Sequence, residues 1–192
     1  MFLQSLNTMA DILTKEQRSE RMARIRSRNT RPEVSLRRAL WHRGFRYRVN
    51  VRNLPGTPDI VLPKHRTVVF VNGCFWHGHK NCKNNKIPQT NTGFWQAKVS
   101  RNQERDQDVW RQLEAKGWSV VIVWECELAK GRLDDTVERV AAEIIENGEQ
   151  NKKRQTERRE AYVLRRLEKK ETAIKHQKLM DELRNIMSKA KE

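Results

Sequence analysis

The spacing of apolar positions along the chain predicts a mixed α/β domain followed by a charged helical tail. Apolar residues on one side, together with cap and stop residues, indicate four helices, and four shorter alternating or apolar stretches indicate strands. The predicted helices cover residues 15–27, 32–42, 92–116 and 134–146. The predicted strands cover residues 45–51, 59–62, 67–71 and 118–124. The order ααβββαβα favours one mixed sheet with helices on its faces.

Cap and turn residues predict where these elements begin and end. Thr14 and Gln17 have the spacing of a capping box, and Thr92 is the expected N-cap of the third helix. Glycines 44 and 117 and the Asn147-Gly148 pair are expected to stop helices. The run 118–124 is the most apolar and is expected to be the central strand. The buried side of the second helix is expected to carry Val34, Leu36, Leu40 and Trp41.

Composition divides the chain into three parts. Residues 1–14 are predicted to be a flexible N-terminal extension, residues 15–148 the α/β domain, and residues 149–192 a basic tail with a long helix over about 153–189. The tail has apolar residues at rough helical spacing, but Glu171 and Lys175 interrupt them. The tail can therefore pack on the domain, bind a protein partner, associate with a second copy, or lie along DNA.

Positive charge is concentrated at the two ends. The chain has 192 residues and a formal charge of +16. Residues 15–48 carry twelve Lys/Arg and three acids, residues 49–150 carry fourteen and thirteen, and residues 151–192 carry fourteen and seven. A nearly neutral centre with cationic arms predicts a polyanionic partner, and nucleic acid is the obvious one. The alternative is a basic surface that is solvated and binds no partner.

Location and redox setting follow from what the chain contains. The sequence has no apolar run near 18 residues, and its first ten residues lack the pattern of a signal peptide. Three cysteines, an odd number, argue against a disulfide framework and for a reducing environment. We therefore expect a cytoplasmic protein.

The stretch VNGCFWHGHKNC concentrates metal-ligand chemistry. Cys74, His79 and Cys82 are three candidate ligands at short spacing, and Cys126 follows an apolar strand that can lie beside the strand before Cys74. Three thiolates and one imidazole form a closed tetrahedral site typical of structural zinc. Three buried cysteines with an unrelated histidine are the alternative. A closed site leaves His77 free as a general base, although spacing alone also allows His77 to be the ligand.

Two further patterns suggest nuclease chemistry. Pro58-Asp59 at the start of a strand resembles the metal-binding half of a PD-(D/E)xK nuclease, in which a carboxylate holds magnesium against a phosphate. The usual acid-x-Lys triplet is missing from the next strand, and Pro-Asp is also common turn chemistry. Two aromatic pairs, Phe75-Trp76 and Phe94-Trp95, can wedge between base steps, although core packing is the commoner fate of such residues.

Together these residues resemble a known family. The blocks LPGTPDIVLP, VFVNGCFWHGHKNC, FWQAKVSRNQERD and GWSVVIVWECEL are similar, in order and spacing, to the very short patch repair (Vsr) endonucleases over about residues 14–146. The resemblance implies a PD-(D/E)xK-like (restriction-endonuclease-like) fold with an unusual active site. It also implies a magnesium-dependent DNA endonuclease that nicks one strand 5′ of the T in T:G mismatches.

Carried over by motif position, the resemblance also implies roles for individual residues. Asp59 and the carbonyl of Val71 would bind Mg²⁺, His77 would be the general base, and Glu33 would position water. The implied zinc ligands are Cys74, His79, Cys82 and Cys126. The implied DNA contacts are Phe75, Trp76 and Trp95 as a wedge and Arg24, Arg26, Arg28 and Arg31 as phosphate clamps. Asn102 and Asp106 lie in the helix block that the chain shares with the family, but the resemblance implies no role for them.

Departures from the family pattern keep other functions open. The family often has histidine where this chain has Asn72, and the tail after Gly148 is foreign to it. The first alternative is a Vsr-like nickase of a restriction or anti-phage system with different specificity. The second is a non-catalytic zinc-stabilised DNA-binding module, and the third is a basic scaffold without metal.

Overall fold

The computed structural model describes residues 14–24 and 28–189. Four α-helices are present in this part: α1 (Lys15–Arg24), α2 (Arg31–His42), α3 (Thr92–Ala115) and α4 (Leu133–Lys189). Three strands are present: β1 (Ile60–Leu62), β2 (Thr67–Asn72) and β3 (Ser119–Trp124). Short 3-10 turns follow β1 and β3. The predicted mixed α/β class is therefore confirmed.

The strands form one small mixed sheet in the order β1-β2-β3. β1 pairs antiparallel with β2, as the predicted hairpin requires, and β2 pairs parallel with β3. The most apolar strand, β3, pairs only with β2 among the described residues, so the prediction that it is central was wrong. Its apolar character comes instead from helices that cover both faces of the sheet, because burial on two faces removes the polar alternation of a strand.

Side chains alternate between two cores, one on each face of the sheet. Ile60, Val69 and Val121 pack with helix α2 and the first turns of α4. Val61, Val68 and Val120 point the other way and pack against Leu113 and Val109 of α3. The α/β/α layering follows from the two-residue period of the strands.

Local signals set most helix ends. The Thr14 hydroxyl accepts from Gln17 N at 3.2 Å and the Gln17 side chain accepts from Thr14 N at 3.1 Å, which is the predicted capping box. Gly44, with φ of +87°, ends α2. Gly117, with φ of +76°, follows α3. The N-cap of α3 is Asn91 rather than the predicted Thr92, whose hydroxyl donates to carbonyls of the preceding turn. Residues 25–27 of the predicted first helix lie outside the described residues.

Three other predictions about elements were wrong. Residues 45–51 form no strand: only Arg48 bridges Val61, and Asn50 has φ of +51°, which is incompatible with an extended ladder. Trp41 is 49% exposed rather than buried, and the Arg46 guanidinium lies 4.0 Å above its ring.

Asn147-Gly148 does not stop a helix, because α4 continues through it to Lys189. A Cβ at Gly148 would lie 2.6 Å from Nδ1 of His65, so this glycine permits a close approach rather than a turn.

The contacts divide the chain into two units, residues 1–148 and residues 149–192. Within the second unit, every residue from 152 to 188 is exposed. No helix of the described residues is long and apolar enough to cross a membrane.

Candidate functional site

The site is built at one end of the sheet, where β1 starts and β2 ends. Asp59 immediately precedes β1, and its Oδ2 accepts a hydrogen bond from the backbone N of Val71 at 2.8 Å. Its Oδ1 has no hydrogen-bond partner among the described residues. Burial raises the pKa of Asp59 to about 6, opposed chiefly by the Val71 hydrogen bond. One carboxylate oxygen is thus anchored and the other is free for a ligand, which fits a hard divalent cation.

A buried ion pair lies directly behind Asp59. Arg37 donates through Nε and Nη2 to the backbone carbonyl of Asp59, at 3.2 and 3.0 Å, and pairs with Glu33 at 3.1 Å. Both side chains are less than 10% exposed. Glu33 also accepts from Asn29 N at 2.9 Å and from the hydroxyl of Thr30 at 2.8 Å. Helix α2 therefore connects the basic segment around Asn29 to the backbone of Asp59.

Glu33 has limited freedom for the role that was predicted for it. Three donors occupy its oxygens, so about one of four acceptor positions remains for water. Its charge nevertheless reaches Asp59 and contributes to the raised pKa of that carboxyl group.

His77 is held by α3. Its Nδ1 contacts Oδ2 of Asp106, and its backbone carbonyl accepts from Gln103 at 3.2 Å. Asn102 donates to the carbonyl of Trp76 at 2.8 Å. The Nδ1 contact leaves Nε2 as the free ring nitrogen, and the imidazole side chain stays 22% exposed. A positive charge on His77 lowers the pKa of Asp59 and so opposes the effect of burial on that carboxyl group.

The loop that carries His77 approaches α3 very closely. Gly78 has φ of +65°, and a Cβ there would lie 2.4 Å from Nε2 of Gln103 and 2.8 Å from Val99. A larger residue would be strained in the backbone and would push the loop off the helix. Gly78 thus helps to bring the His77 backbone into contact with α3.

Four candidate metal ligands converge beside this loop. The ligand atoms of Cys74, His79, Cys82 and Cys126 all lie within 4.8 Å of one another. The His79 Nδ1 is 3.4 Å from the sulfur of Cys74 and 3.4 Å from that of Cys126. A tetrahedral zinc ion with ordinary Zn–S and Zn–N bonds requires about 3.5 Å between such atoms, so the donor set fits zinc.

The surroundings of the cluster orient its ligands. The imidazole of His79 stacks on the Trp124 indole at 4.1 Å with an interplanar angle of 1°. Glu125 accepts from the backbone N of Cys74 at 3.0 Å. Burial raises the pKa of the Cys74 thiol, whereas the backbone N–H of Asn84 lowers that of Cys82. A metal bound here would have to displace the Cys74 proton, so its affinity should depend on pH.

The aromatic residues form one cluster over the His77 loop. Ring centroids of Phe75 and Trp76 are 5.0 Å apart, and Trp95 lies 5.3 Å from Phe75 and 6.1 Å from Trp76. Phe94 extends the cluster and is 55% exposed. The pairs predicted separately, on the loop and on α3, thus form a continuous, partly exposed aromatic surface next to the histidine.

Three of the four predicted phosphate clamps lie in the described part of the chain. Arg24 pairs with Glu20 at 2.5 Å on the surface of α1. Arg28 and Arg31 are exposed and flank the Asn29 turn that contacts Arg37. Arg26 lies outside the described residues.

Arg37 and Asp106 are site residues that sequence reasoning left without a role. A signal for Asp106 was present: Val99, Asn102, Gln103 and Asp106 follow the i, i+3, i+4, i+7 spacing of a buried helix face, and three of these four are polar. Polar residues at core-facing positions predict a bonded network, which is what α3 supplies. Arg37 had no comparable signal, because an arginine in a basic helix is ordinary by sequence.

Comparison with known proteins identifies the family. The sequence model of the DNA mismatch endonuclease Vsr matches residues 10–84. The type II nicking enzyme V.NmeAIP of Neisseria meningitidis is 50% identical over 120 residues, which are 62% of this chain and 85% of that protein. V.XorIIP of Xanthomonas oryzae is 46% identical over 63% of this chain and 88% of its own length.

A third relative has the name of the family itself. The DNA mismatch endonuclease Vsr of Escherichia coli is 44% identical over 124 residues, which are 65% of this chain and 78% of that protein. The three alignments cover the larger part of each relative. The chain therefore belongs to the Vsr family and is a DNA endonuclease.

Proposed function

We propose that this protein is a magnesium-dependent endonuclease that nicks one strand of duplex DNA on the 5′ side of the T in a T:G mismatch. The observation that carries the proposal is the juxtaposition of a carboxylate with one free oxygen, Asp59, and a histidine whose second nitrogen is free, His77. Hydrolysis of a phosphodiester needs both a cation site and a base for water.

His77 acts as the general base through Nε2. The Asp106 carboxylate holds the Nδ1 proton, which selects the tautomer with an accepting Nε2 and stabilises the imidazolium that forms. Helix α3 fixes the ring and its loop together through Asn102 and Gln103. His77 and Asp106 therefore work as a pair in taking a proton from the attacking water.

Asp59 and the carbonyl of Val71 are the groups that would hold a magnesium ion. When bound there, Mg²⁺ would neutralise negative charge that develops on the scissile phosphate. Arg37 positions Asp59 by donating to its backbone carbonyl, and Glu33 orients Arg37. The remaining acceptor position of Glu33 would orient a water molecule. Since the usual acid-x-Lys triplet is absent, we propose a PD-(D/E)xK-like fold in which Glu33 and His77 replace its functions.

Zinc at Cys74, His79, Cys82 and Cys126 has a structural role. The cluster joins the loop after β2, which carries Cys74, His79 and Cys82, to the turn after β3, which carries Cys126. Cys82 and Cys126 are 44 residues apart in sequence. A closed four-ligand site supplies folding free energy and no open coordination position. It thereby supports the loop that presents Phe75, Trp76 and His77.

The exposed aromatic surface recognises the mismatch. Phe75, Trp76 and Trp95 contact one another edge to face, and such rings can insert between base steps and unstack them. A mismatched pair resists unstacking less than a matched pair, which favours insertion beside T:G. We further propose that backbone phosphates are contacted by Arg24, Arg26, Arg28 and Arg31.

A strand-resolved nicking assay tests the proposal. Each strand of a T:G duplex and of the matched T:A duplex is end-labelled in turn and incubated with or without Mg²⁺. We expect one nick, in the T strand 5′ of the T, only with Mg²⁺ and only in the mismatched duplex. His77→Ala should abolish it while bound zinc is unchanged. A mutant that still nicks at the wild-type rate would exclude His77 as the base.

The names of two relatives favour a second candidate function. V.NmeAIP and V.XorIIP are called type II nicking enzymes, so a nickase tied to a restriction system is the alternative. Nicking of the matched duplex at a rate similar to that of the T:G duplex would support this alternative and refute mismatch specificity.

A further inference from the structure

The second unit carries a one-sided positive surface that the nuclease site does not use. Residues 149–171 belong to helix α4, in which successive side chains are about 100° apart. At this spacing eight of the nine Lys and Arg side chains fall within an arc of roughly 160°. We call this surface the cationic face; it comprises Lys152, Arg154, Arg158, Arg159, Arg165, Arg166, Lys169 and Lys170.

The acids of the same segment lie on the opposite side. All five glutamates fall within an arc of roughly 100° whose centre is opposite that of the cationic face. They are Glu149, Glu157, Glu160, Glu168 and Glu171. A solvated helix stabilised by its own ion pairs would intersperse the two signs, so the separation indicates an external anionic partner.

The cationic face is exposed and its charges are not neutralised within the described chain. Each of its eight residues is exposed, and none lies within ion-pair distance of a described carboxylate. Three pairs of cations on this face are spaced four residues apart: Arg154 and Arg158, Arg165 and Lys169, and Arg166 and Lys170. Each such like-charge pair costs about 0.2–0.5 kcal/mol in an isolated helix, and a bound polyanion would relieve that repulsion.

The opposite side excludes insertion into an anionic membrane. Leu164 and Leu167, the apolar residues there, lie in the same arc as Glu160, Glu168 and Glu171. A membrane-surface helix needs a continuous apolar side flanked by cations, and here insertion would bury three carboxylates. The surface therefore fits a rigid polyanion that approaches the cationic face alone.

We propose that the cationic face is a DNA-binding surface that contacts backbone phosphates of duplex DNA without reading sequence. From Lys152 to Lys170 the face is about 27 Å long, which matches about eight base pairs. Arginine predominates on it, with five of the eight positions, and guanidinium groups bind phosphate oxygens bidentately. The surface increases the time the endonuclease spends on matched DNA and needs no mismatch.

Two charge-matched triple variants of the full chain test the proposal. The first replaces three cations of the face: Arg159→Gln, Arg166→Gln and Lys170→Gln. The second replaces three cations on the opposite side of the same helix: Lys153→Gln, Lys175→Gln and Lys178→Gln. Both remove three positive charges, so an effect of net charge alone would be equal in the two variants. Circular dichroism checks that both keep their helix content.

Affinity for a matched duplex is measured by fluorescence anisotropy without Mg²⁺ over a range of salt. We expect the face variant to bind at least 10-fold more weakly and to lower the slope of log K against log salt by about 2.7, at 0.9 per lost phosphate contact. The opposite-side variant should stay within about 2-fold of the wild type at fixed salt. Equal losses in the two variants, or no loss in either, would overturn the proposal.

Two further readouts distinguish DNA binding by the cationic face from nuclease activity and from membrane binding. Nicking rates at saturating DNA should be unchanged in the face variant, because none of its three positions belongs to the nuclease site. If the wild type does not nick T:G duplexes, the proposed function is refuted, but the affinity measurement still tests DNA binding by the cationic face. Binding to phosphatidylserine vesicles that the face variant loses, with DNA affinity unchanged, would assign the surface to membranes instead.

Discussion

Replacing Asp59 with Asn should make the protein more stable while abolishing nicking. Burial raises the pKa of Asp59 from its ordinary 3.8 to about 6. The folded protein therefore binds a proton at this site more tightly than the unfolded chain does, and its stability falls as pH rises from about 4 to about 6. A pKa difference of about 2 corresponds to about 3 kcal/mol of lost stability above pH 6.

Asparagine removes the buried charge and keeps nearly the same shape. Its amide oxygen can still accept the hydrogen bond from Val71 N that Asp59 accepts at 2.8 Å. Since the amide fits this polar pocket less well than a neutral carboxyl group, we expect a gain of about 1–2 kcal/mol at pH 8. That gain corresponds to a rise of about 2–8 °C in Tm.

Thermal unfolding of the wild type and Asp59→Asn at pH 4, 6 and 8 measures the effect. The stability difference should be small at pH 4, where the wild-type carboxyl is neutral in the folded state, and largest at pH 8. Adding Mg²⁺ at pH 8 should stabilise only the wild type and narrow the gap. An Asn variant that is less stable at pH 8, or equally shifted at every pH, would refute the burial argument.

Three other predictions concern the base, the zinc cluster and helix α4. Asp106→Asn should lower kcat for nicking by 10-fold or more with little change in KM. An amide is uncharged and so stabilises the imidazolium less, and its NH2 can donate to Nδ1 and favour the wrong tautomer of His77. Cys126→Ser should lose bound zinc and unfold at a temperature lower by several degrees, measured by metal analysis and calorimetry. Gly148→Ala should destabilise the protein, since the new Cβ would lie 2.6 Å from a histidine ring, whereas Gly93→Ala, with nothing within 4 Å, should stabilise by up to about 1 kcal/mol.

Each of these predictions has a result that contradicts it. Equal kcat for wild type and Asp106→Asn would show that the carboxylate does not assist His77. A metal-free Cys126→Ser protein of unchanged stability would mean that the cluster is not a structural zinc site. Equal gains in stability at Gly148 and Gly93 would show that the histidine ring moves away at no cost.

The candidate residues of the site could be proposed from sequence because they are concentrated in short blocks. Cys74, His79 and Cys82 lie on one loop, and Asp59 begins a strand. Local elements were predictable for the same reason: the Thr14 capping box and the β1–β2 hairpin depend on residues a few positions apart. Interactions within one turn or hairpin need no knowledge of the rest of the chain.

Contacts between distant segments were decided only by the tertiary structure. The β3 strand has the composition of a central strand because helices cover both of its faces. Among the described residues it nevertheless lies beside β2 alone. Asn147-Gly148 has the composition of a helix stop, yet α4 continues through it. The absence of a side chain at Gly148 allows the close approach of His65 and does not produce a turn.

The same division separates the candidate site into predictable and unpredictable parts. The sequence by itself determined which residue types were available: a carboxylate, two histidines, three cysteines and paired aromatic residues. Only the fold determined that Asp106 reaches His77 across 29 positions and that Arg37 reaches the carbonyl of Asp59 across 22. Such pairings depend on how α2 and α3 pack against the sheet, which is a property of the whole core and not of any local pattern.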